Sequence, residues 1–510
     1  MLTVLVLVPL VGALAVALLP LPAAASRSLG VGVAFGTLGL GIAVAALYDV
    51  GGGMQMEEQQ SWIGALGVHY ALGVDGLGLL LVLLTVVLVP IVMLAGWHEG
   101  ESAPRSYFAW VLALEAASIA VFLATDVFLF YIVFEATLIP AYFLIGSFGR
   151  DGRGAAALKF LLFQLGGGLV LLASVIGLYV VSAQQGTPSY LLADLEQLDI
   201  GTGAGRWLFL GFFIAFAIKA PLFPVHTWLA DTTEKASPGT SVLLVCVLDK
   251  IGTFGMLRFC LGLFPEASQW ATPVVVTLAV VSIIYGALVA IGQDDVLRLI
   301  GLTSLSHFGF ITLGIFVFSS QGQTGSILYM VNHGLGTALL FLVAGYLIKR
   351  RGTASISQMG GIEKATPVIA GLMLVAGLAT LSLPGLSPFV SEFLVLLAAF
   401  DYHWWVGAAA VLGIVLAAIY VLWMYQRIMT GPTPAGVEGT RDAGAREILA
   451  VAPLVVLLVG FGFYPQPMLD VADPYVDGLM QRVGVVDDAP TVPPTTTGPE
   501  DPASSEEGGD

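Results

Sequence analysis

Charged side chains are scarce in this chain: 19 Lys and Arg with 35 Asp and Glu make up only 11% of its 510 residues, against 57% hydrophobic ones. Soluble domains hold about a quarter of their residues as charged types, so this composition excludes a soluble protein of this length. Basic residues are the rarer sign. With a formal net charge of −16 there is no excess of Lys and Arg from which a nucleic-acid surface could be built. Cysteine is nearly absent. Cys246 and Cys260 share one apolar stretch and lack the clustered spacing of iron–sulfur ligands, so they read as small packing residues. No GxxxxGK[ST] is present, and no GxGxxG lies between a strand and a helix. The glycines near Gly39 and Gly166 fall in apolar runs, where they allow close helix packing. The sequence therefore offers no cofactor-binding residues and no metal ligands.

What the chain has in abundance is hydrophobic length. Mean hydropathy is +0.92. Windows near the ~20 residues that cross about 30 Å of hydrocarbon fall at 2–22, 28–48, 77–97, 107–125, 127–147, 158–182, 206–231, 238–263, 270–291, 296–319, 325–349, 366–400, 404–429 and 447–466. They predict an all-α, polytopic membrane protein with fourteen transmembrane helices. The first window lacks the basic leader of a signal peptide and is followed by many more spans, so it is expected to remain as a helix. Loops after odd-numbered spans hold fourteen of the Lys and Arg residues, from Arg27 and Arg105 to Arg441 and Arg446; the opposite side holds only Arg206, Arg258 and Arg482. Positive charge gathers in the cytoplasm, so both termini are expected on the outer face of a bacterial cell membrane. The stretch 55–75 is too polar to cross and is expected to form a short outer hairpin, with His69 an ordinary surface residue. Residues 467–510 are expected to be an acidic tail, disordered from about 487, where Pro, Thr and acids dominate.

Against this background, ionisable residues inside the spans stand out: Glu135, Lys219, Lys250, His307, His333 and Glu392. Such a group at bilayer depth is costly and is retained for an ion path or a buried partner. A single one could snorkel from a helix end; six in separate spans predict a proton-conducting axis. Lys219 is followed by Pro221 and Pro224, and Glu392 is preceded by Pro384, Gly385 and Pro388, so both windows should contain broken helices. Paired broken helices mark ion sites in transporters built from inverted repeats. The spacing agrees: Lys219 follows Glu135 by 84 residues and Glu392 follows His307 by 85. Two inverted five-helix repeats are therefore expected at 107–265 and 266–430, after spans one to three at 1–106 and before a last span at 431–466.

In low dielectric a neutral lysine is favoured, and a nearby carboxylate favours the charged one. Glu135 and Lys219 would thus form a proton site whose affinity follows their separation. Lys250, His307 and His333 would relay protons to Glu392, histidine being suited by its ordinary pKa near 6.5. Glu115 in the fourth span is a weaker candidate for the same path. Asp249 adjoins Lys250 but lies about 100° around a regular helix, so it should face elsewhere. His226 is expected to cap or line the break after Pro224, and Asp126 and Asp231 to sit at the membrane interface.

The strings FEATLIPAYFLIG (134–146), KAPLFPVHTWLAD (219–231), LRLIGLTSLSHFGFI (297–311), VNHGLGTALLF (331–341) and LPGLSPFVSEF (383–393) resemble the M-type, antiporter-like membrane-arm subunits of bacterial NADH:quinone oxidoreductase, respiratory complex I. The resemblance implies proton translocation driven by quinone reduction elsewhere in the complex. It also implies FMN and iron–sulfur clusters in other subunits and L-type and N-type antiporter-like subunits as neighbours in the bilayer. It assigns the translocating roles to Glu135, Lys219, Lys250, His307, His333 and Glu392. The L and N types usually carry lysine at the position of Glu392, and the L type adds a long lateral helix, so both features favour M. Two departures from the pattern stand out: LADTTEKASPGTS after Trp228, and Asp249 where an apolar residue is usual. A subunit of a multisubunit sodium/proton antiporter, which shares the core, and a non-conducting membrane scaffold are the alternatives.

Overall fold

The computed structural model describes residues 1–186, 188–433, 437 and 439–487. In chain order the elements are α1 (Leu2–Leu18), α2 (Ala23–Leu47), β1 (Gln55–Ile63), β2 (Val68–Val74), α3 (Gly76–Ala95), α4 (Pro104–Leu123), α5 (Val127–Ala136), α6 (Leu138–Phe148), α7 (Arg153–Gln184), α8 (Leu192–Leu195), α9 (Thr202–Lys219), α10 (Thr227–Lys235) and α11 (Pro238–Val242). After α11 come a π-helical turn (Leu243–Leu248), α12 (Lys250–Gly255) and a second π-helical turn (Met256–Leu261). Then follow α13 (Pro265–Ile291), α14 (Val296–Phe316), α15 (Ser320–Arg351), α16 (Pro367–Thr380), α17 (Ser387–Tyr402), α18 (Trp404–Met429), α19 (Ala445–Phe463) and α20 (Gln466–Val483).

Every predicted window holds helix, and among the described residues twelve helical segments are long and apolar enough to cross alone. The remaining two windows contain the 17-residue α1 and the interrupted pair α16 and α17. The chain is thus a multi-pass helical membrane protein, with one antiparallel hairpin, β1 with β2, where the polar stretch 55–75 had predicted it. Residues 467–486 do not form the expected tail. They include α20, whose Met468, Ala472, Val476 and Leu479 recur at helical spacing and are buried. The region 488–510, expected to be disordered, lies outside the described residues.

Large apolar residues that face outward, such as Val11, Leu169, Val274 and Phe463, suit contact with lipid tails. The eighth span (Pro238–Leu261), α14 and α15 are by contrast enclosed on all sides. These three carry Lys250, His307 and His333, so these ionisable residues are walled off from lipid by the rest of the bundle.

One hydrogen-bonded pattern occurs twice. The Val127 N–H donates to the Tyr190 carbonyl and Leu192 N–H to Thr125; likewise Val296 N–H donates to Ala354 and Ile356 N–H to Asp294. In each case an aspartate, Asp126 or Asp295, accepts from the two N–H groups two and three residues on and caps the following helix, α5 or α14. Asp126 is therefore fully buried under the hairpin, where it also accepts from the His69 N–H, and is not the interfacial residue expected from its place at a span end. Asp231 does sit at a surface, paired with Lys159 and Arg298 at 2.6 Å each. The second copy of the pattern is fastened by Asp294, which accepts from Ser355, Ser357 and Arg427; the Ser355 hydroxyl is the main cause that holds its carboxyl below the usual range.

The charges sort by end. The N-terminal amino group meets Glu58 of the hairpin, and a cavity of about 360 Å³ at that end is lined by Glu57, Asp75, Glu196, Arg258 and Arg482. There Asp75 holds Arg258 in a buried two-bond pair of 2.5 and 2.7 Å, the fork geometry that offsets part of the desolvation cost of such a pair. N-terminus, hairpin and α20 thus share one end of the bundle.

Candidate proton-conducting site

Span five is interrupted at Thr137. Pro140 lacks the N–H that would bond Ala136, so α5 stops and α6 restarts. Thr137 spends its hydroxyl proton on the Phe134 carbonyl (2.6 Å), which leaves the oxygen's lone pairs for Lys219 Nζ at 3.0 Å. Lys219 is fully buried. It is the last residue of α9, where the negative end of the helix dipole favours a cation, and its ammonium lies 4.3 Å over the Phe134 ring. The backbone groups freed by the break find partners: Trp228 Nε1 donates to the Ile218 carbonyl at 3.0 Å and the Phe223 N–H to Ser282 Oγ at 3.0 Å.

Glu135 stands on the same turn as Thr137, but no ion pair within 4.0 Å joins it to Lys219 and its Oε1 has no partner. The carboxylate lies against α7, where a Cβ on Gly168 would fall 1.8 Å from Oε1. Glycine at 168 makes room for it. Pairing between Glu135 and Lys219 is thus poised across Thr137 and not closed.

The next group comes from span eight. In its first π-helical turn the Asp249 N–H bonds Leu244, five residues back, and the Val245 carbonyl is left for Lys250 Nζ at 3.2 Å. Lys250 Nζ also lies 2.6 Å from His333 Nδ1 on α15 and 4.4 Å over the Phe308 ring. The His333 and His307 rings are 5.2 Å apart by their centroids. His307 Nδ1 is 2.7 Å from Tyr329 Oη, and that hydroxyl donates to Glu392 Oε2 at 2.9 Å. Ser382, in the break between α16 and α17, donates to the same carboxylate oxygen. Asn332 Nδ2 closes the far side of this break with bonds to the Ser387 carbonyl (2.9 Å) and Ser391 Oγ (3.2 Å).

Lys250, His333, His307 and Glu392 thus form one buried series, joined by Tyr329, which the sequence reading did not include. Lys219 and Glu135 form a second cluster with Thr137, also not anticipated. The two broken helices differ in use: Lys219 ends the first half of its helix, whereas Glu392 sits in the second half of its own, five positions after the start of α17 by residue number. Glu115 is buried on α4 with neither oxygen bonded, and joins neither cluster. His226 opens α10 but caps nothing; its ring packs on Phe223 and Tyr285, at 5.9 and 5.2 Å between centroids. Among the described residues, no group of three or more His, Cys, Asp or Glu is placed to hold a metal ion.

Tyr329 gives a direct check of continuity. Tyr329→Phe keeps the ring and removes the hydroxyl that touches both His307 and Glu392. Proton transfer through the series is expected to slow by on the order of tenfold, read as the rate of acidification by inverted vesicles, and an unchanged rate would show that protons do not use the hydroxyl.

A family model described as NADH:quinone oxidoreductase/Mrp antiporter, transmembrane, matches residues 124–417, the stretch that contains all of these groups except Glu115. NADH-quinone oxidoreductase subunit M of Mycobacterium tuberculosis is 50% identical over 477 residues, covering 86% of each chain. The subunit M of Rhodobacter capsulatus is 38% identical over 439 residues, covering 84% of this chain and 85% of its own. Among solved structures, respiratory complex I from Thermus thermophilus with bound NADH superposes with a TM-score of 0.88 at 33% identity, covering 95% of this chain and all of its own. The Mrp complex from Dietzia shares the fold, with a TM-score of 0.83 at 24% identity. Five ordered motifs, the repeated hydrogen-bonded pattern and these likenesses agree: the chain belongs to the NADH:quinone oxidoreductase/Mrp antiporter family of transmembrane proteins, and within it to the NADH-quinone oxidoreductase M subunits.

Proposed function

We propose that this chain translocates protons in the membrane arm of an NADH:quinone oxidoreductase, driven by quinone reduction in other subunits. The observation that carries the reading is the buried series in which Lys250 meets His333, the His333 ring lies 5.2 Å from that of His307, and His307 is joined through Tyr329 to Glu392. Hydrophobic packing has no use for such a series, which costs several kcal/mol per buried ion. Protons load at Lys219 when Glu135 is drawn in across Thr137, and leave Lys219 when Glu135 retreats. From Lys250 onward they pass along the histidines to Tyr329 and Glu392. FMN and iron–sulfur clusters belong to other subunits in this reading, and the flanking partners are L-type and N-type antiporter-like subunits in the bilayer, with no role for nucleic acid. The two functional units are residues 107–265 and 266–430, each with one copy of the capping pattern, at Asp126 and at Asp295, before its second helix. Deleting any of Glu135, Lys219, Lys250, His307, His333 or Glu392 should impair pumping; Glu115, buried with neither oxygen bonded, is the weaker candidate for the same path.

The Mrp-type reading shares the fold but rests on 24% identity, whereas the 50% identity favours the redox complex. A scaffold without conduction has no use for the buried series.

The membrane is the bacterial cell membrane, with both termini outside. The positive-charge bias supports this, as does the grouping of Met1, the hairpin and α20 at one end. Cysteines at the exposed Asp151 and Val486 should label from opposite faces in intact cells and in inverted vesicles. The native Cys246 and Cys260 are buried and give little background. Labelling from a single face would overturn the orientation.

A further inference from the structure

Between the two clusters described above stands one buried carboxylate that neither uses. Asp249 is 1% exposed, and neither of its oxygens has a hydrogen-bond partner. Its position follows from helix packing. A Cβ on Gly252 would fall 2.4 Å from the Ala220 nitrogen and 2.6 Å from the Phe216 carbonyl, so span eight touches the end of α9 at this glycine. Asp249 lies three residues before Gly252 and so on the same helix face, turned to the end of α9 where Lys219 sits. Lys250, one residue on, is turned to His333 instead. Two adjacent ionisable residues on one span therefore face the two halves of the molecule.

We propose that Asp249 relays protons from Lys219 to Lys250, an inference that rests on the proton-translocating reading above. In the first step the Lys219 ammonium gives a proton to the Asp249 carboxylate, leaving a neutral amine and a carboxylic acid. In the second the acid gives that proton to a neutral Lys250 and the carboxylate is restored, so no other reactant is needed. The absence of any bond to Asp249 leaves its side chain free to turn about Cα–Cβ toward either lysine, as a carrier must. A carboxylate held only for structure would be expected to have its oxygens bonded. Where relatives have an apolar residue here, the relay is a feature of this chain and its loss costs rate, not the whole path.

The test uses the assembled complex in native membranes, with Asp249→Asn, Asp249→Leu, Asp249→Glu and, as reference, Lys219→Ala. NADH-driven acidification and NADH:quinone turnover are measured beside NADH:hexacyanoferrate activity, which reports electron entry alone. Asn and Leu should each slow acidification by on the order of tenfold, Glu should restore it, and hexacyanoferrate reduction should stay at the wild-type rate. Asp249→Leu removes an unsatisfied buried charge and so decides the question even if Asp249→Asn does not assemble. Wild-type acidification in Asn or Leu, with Lys219→Ala inactive, would overturn the relay and leave the proposed function standing. Wild-type acidification in Lys219→Ala as well would overturn both.

Discussion

Lys219→Ala is expected to lower NADH-driven proton pumping by about two orders of magnitude or more, the scale of a lost proton-transfer group. The ammonium at this position ends α9 in a fully buried site, held by the Thr137 hydroxyl at 3.0 Å and the Phe134 ring. A hydrogen bond to a charged group contributes roughly 1.5–3 kcal/mol and a cation over an aromatic ring about 1–2 kcal/mol. Those gains do not replace the hydration of a buried ion, so the charge state of Lys219 depends on Glu135 drawing near. Alanine removes the only amine in this cluster. Quinone reduction should slow with pumping if the two are tightly coupled, whereas NADH oxidation by hexacyanoferrate should persist, because those electrons leave before the membrane arm. Normal pumping in a verified assembled complex would remove Lys219 from the path; loss of hexacyanoferrate activity there would show that this chain affects electron entry.

Most of the buried series was legible because an ionisable residue inside an apolar window is rare enough to be a signal by itself. Lys219, Lys250, His333, His307 and Glu392 were all found that way, and the structure places the last four in one series. Tyr329 and Thr137 were not found because hydroxyls are common in spans and barely lower hydropathy; only the fold shows that one oxygen lies between His307 and Glu392 and the other beneath Lys219. Asp249 was read as facing elsewhere than Lys250; what sequence could not supply is the neighbour near it, since the contact of Gly252 with Ala220 joins residues 32 apart in number. The capping role of Asp126 was missed because a span-end aspartate looks interfacial until the hairpin covers it. Helix α20 had its own signal in the spacing of Met468, Ala472, Val476 and Leu479, but Pro474 and the acids Asp470, Asp473 and Asp477 made the stretch resemble a tail.

Glu392→Gln is expected to block proton exit as completely as Lys219→Ala blocks loading, about a hundredfold or more. Glutamine fills the same volume and still accepts from Tyr329 and Ser382, the two donors on the carboxylate, so assembly should be unaffected. It cannot take up a proton and pass it on, and Glu392 is the last titratable group of the buried series. Glu392→Lys provides the contrast. Lysine is the residue that L-type and N-type subunits usually carry here, and the Tyr329 oxygen can accept from an ammonium as well as donate to a carboxylate. A titratable group of either sign can pass a proton, so Glu392→Lys should recover a substantial part of the acidification that Glu392→Gln loses. Acidification at the wild-type rate in Glu392→Gln would move the exit elsewhere, and equal loss in both variants would show that the carboxylate's sign, rather than its ability to titrate, is what the second half of the path requires.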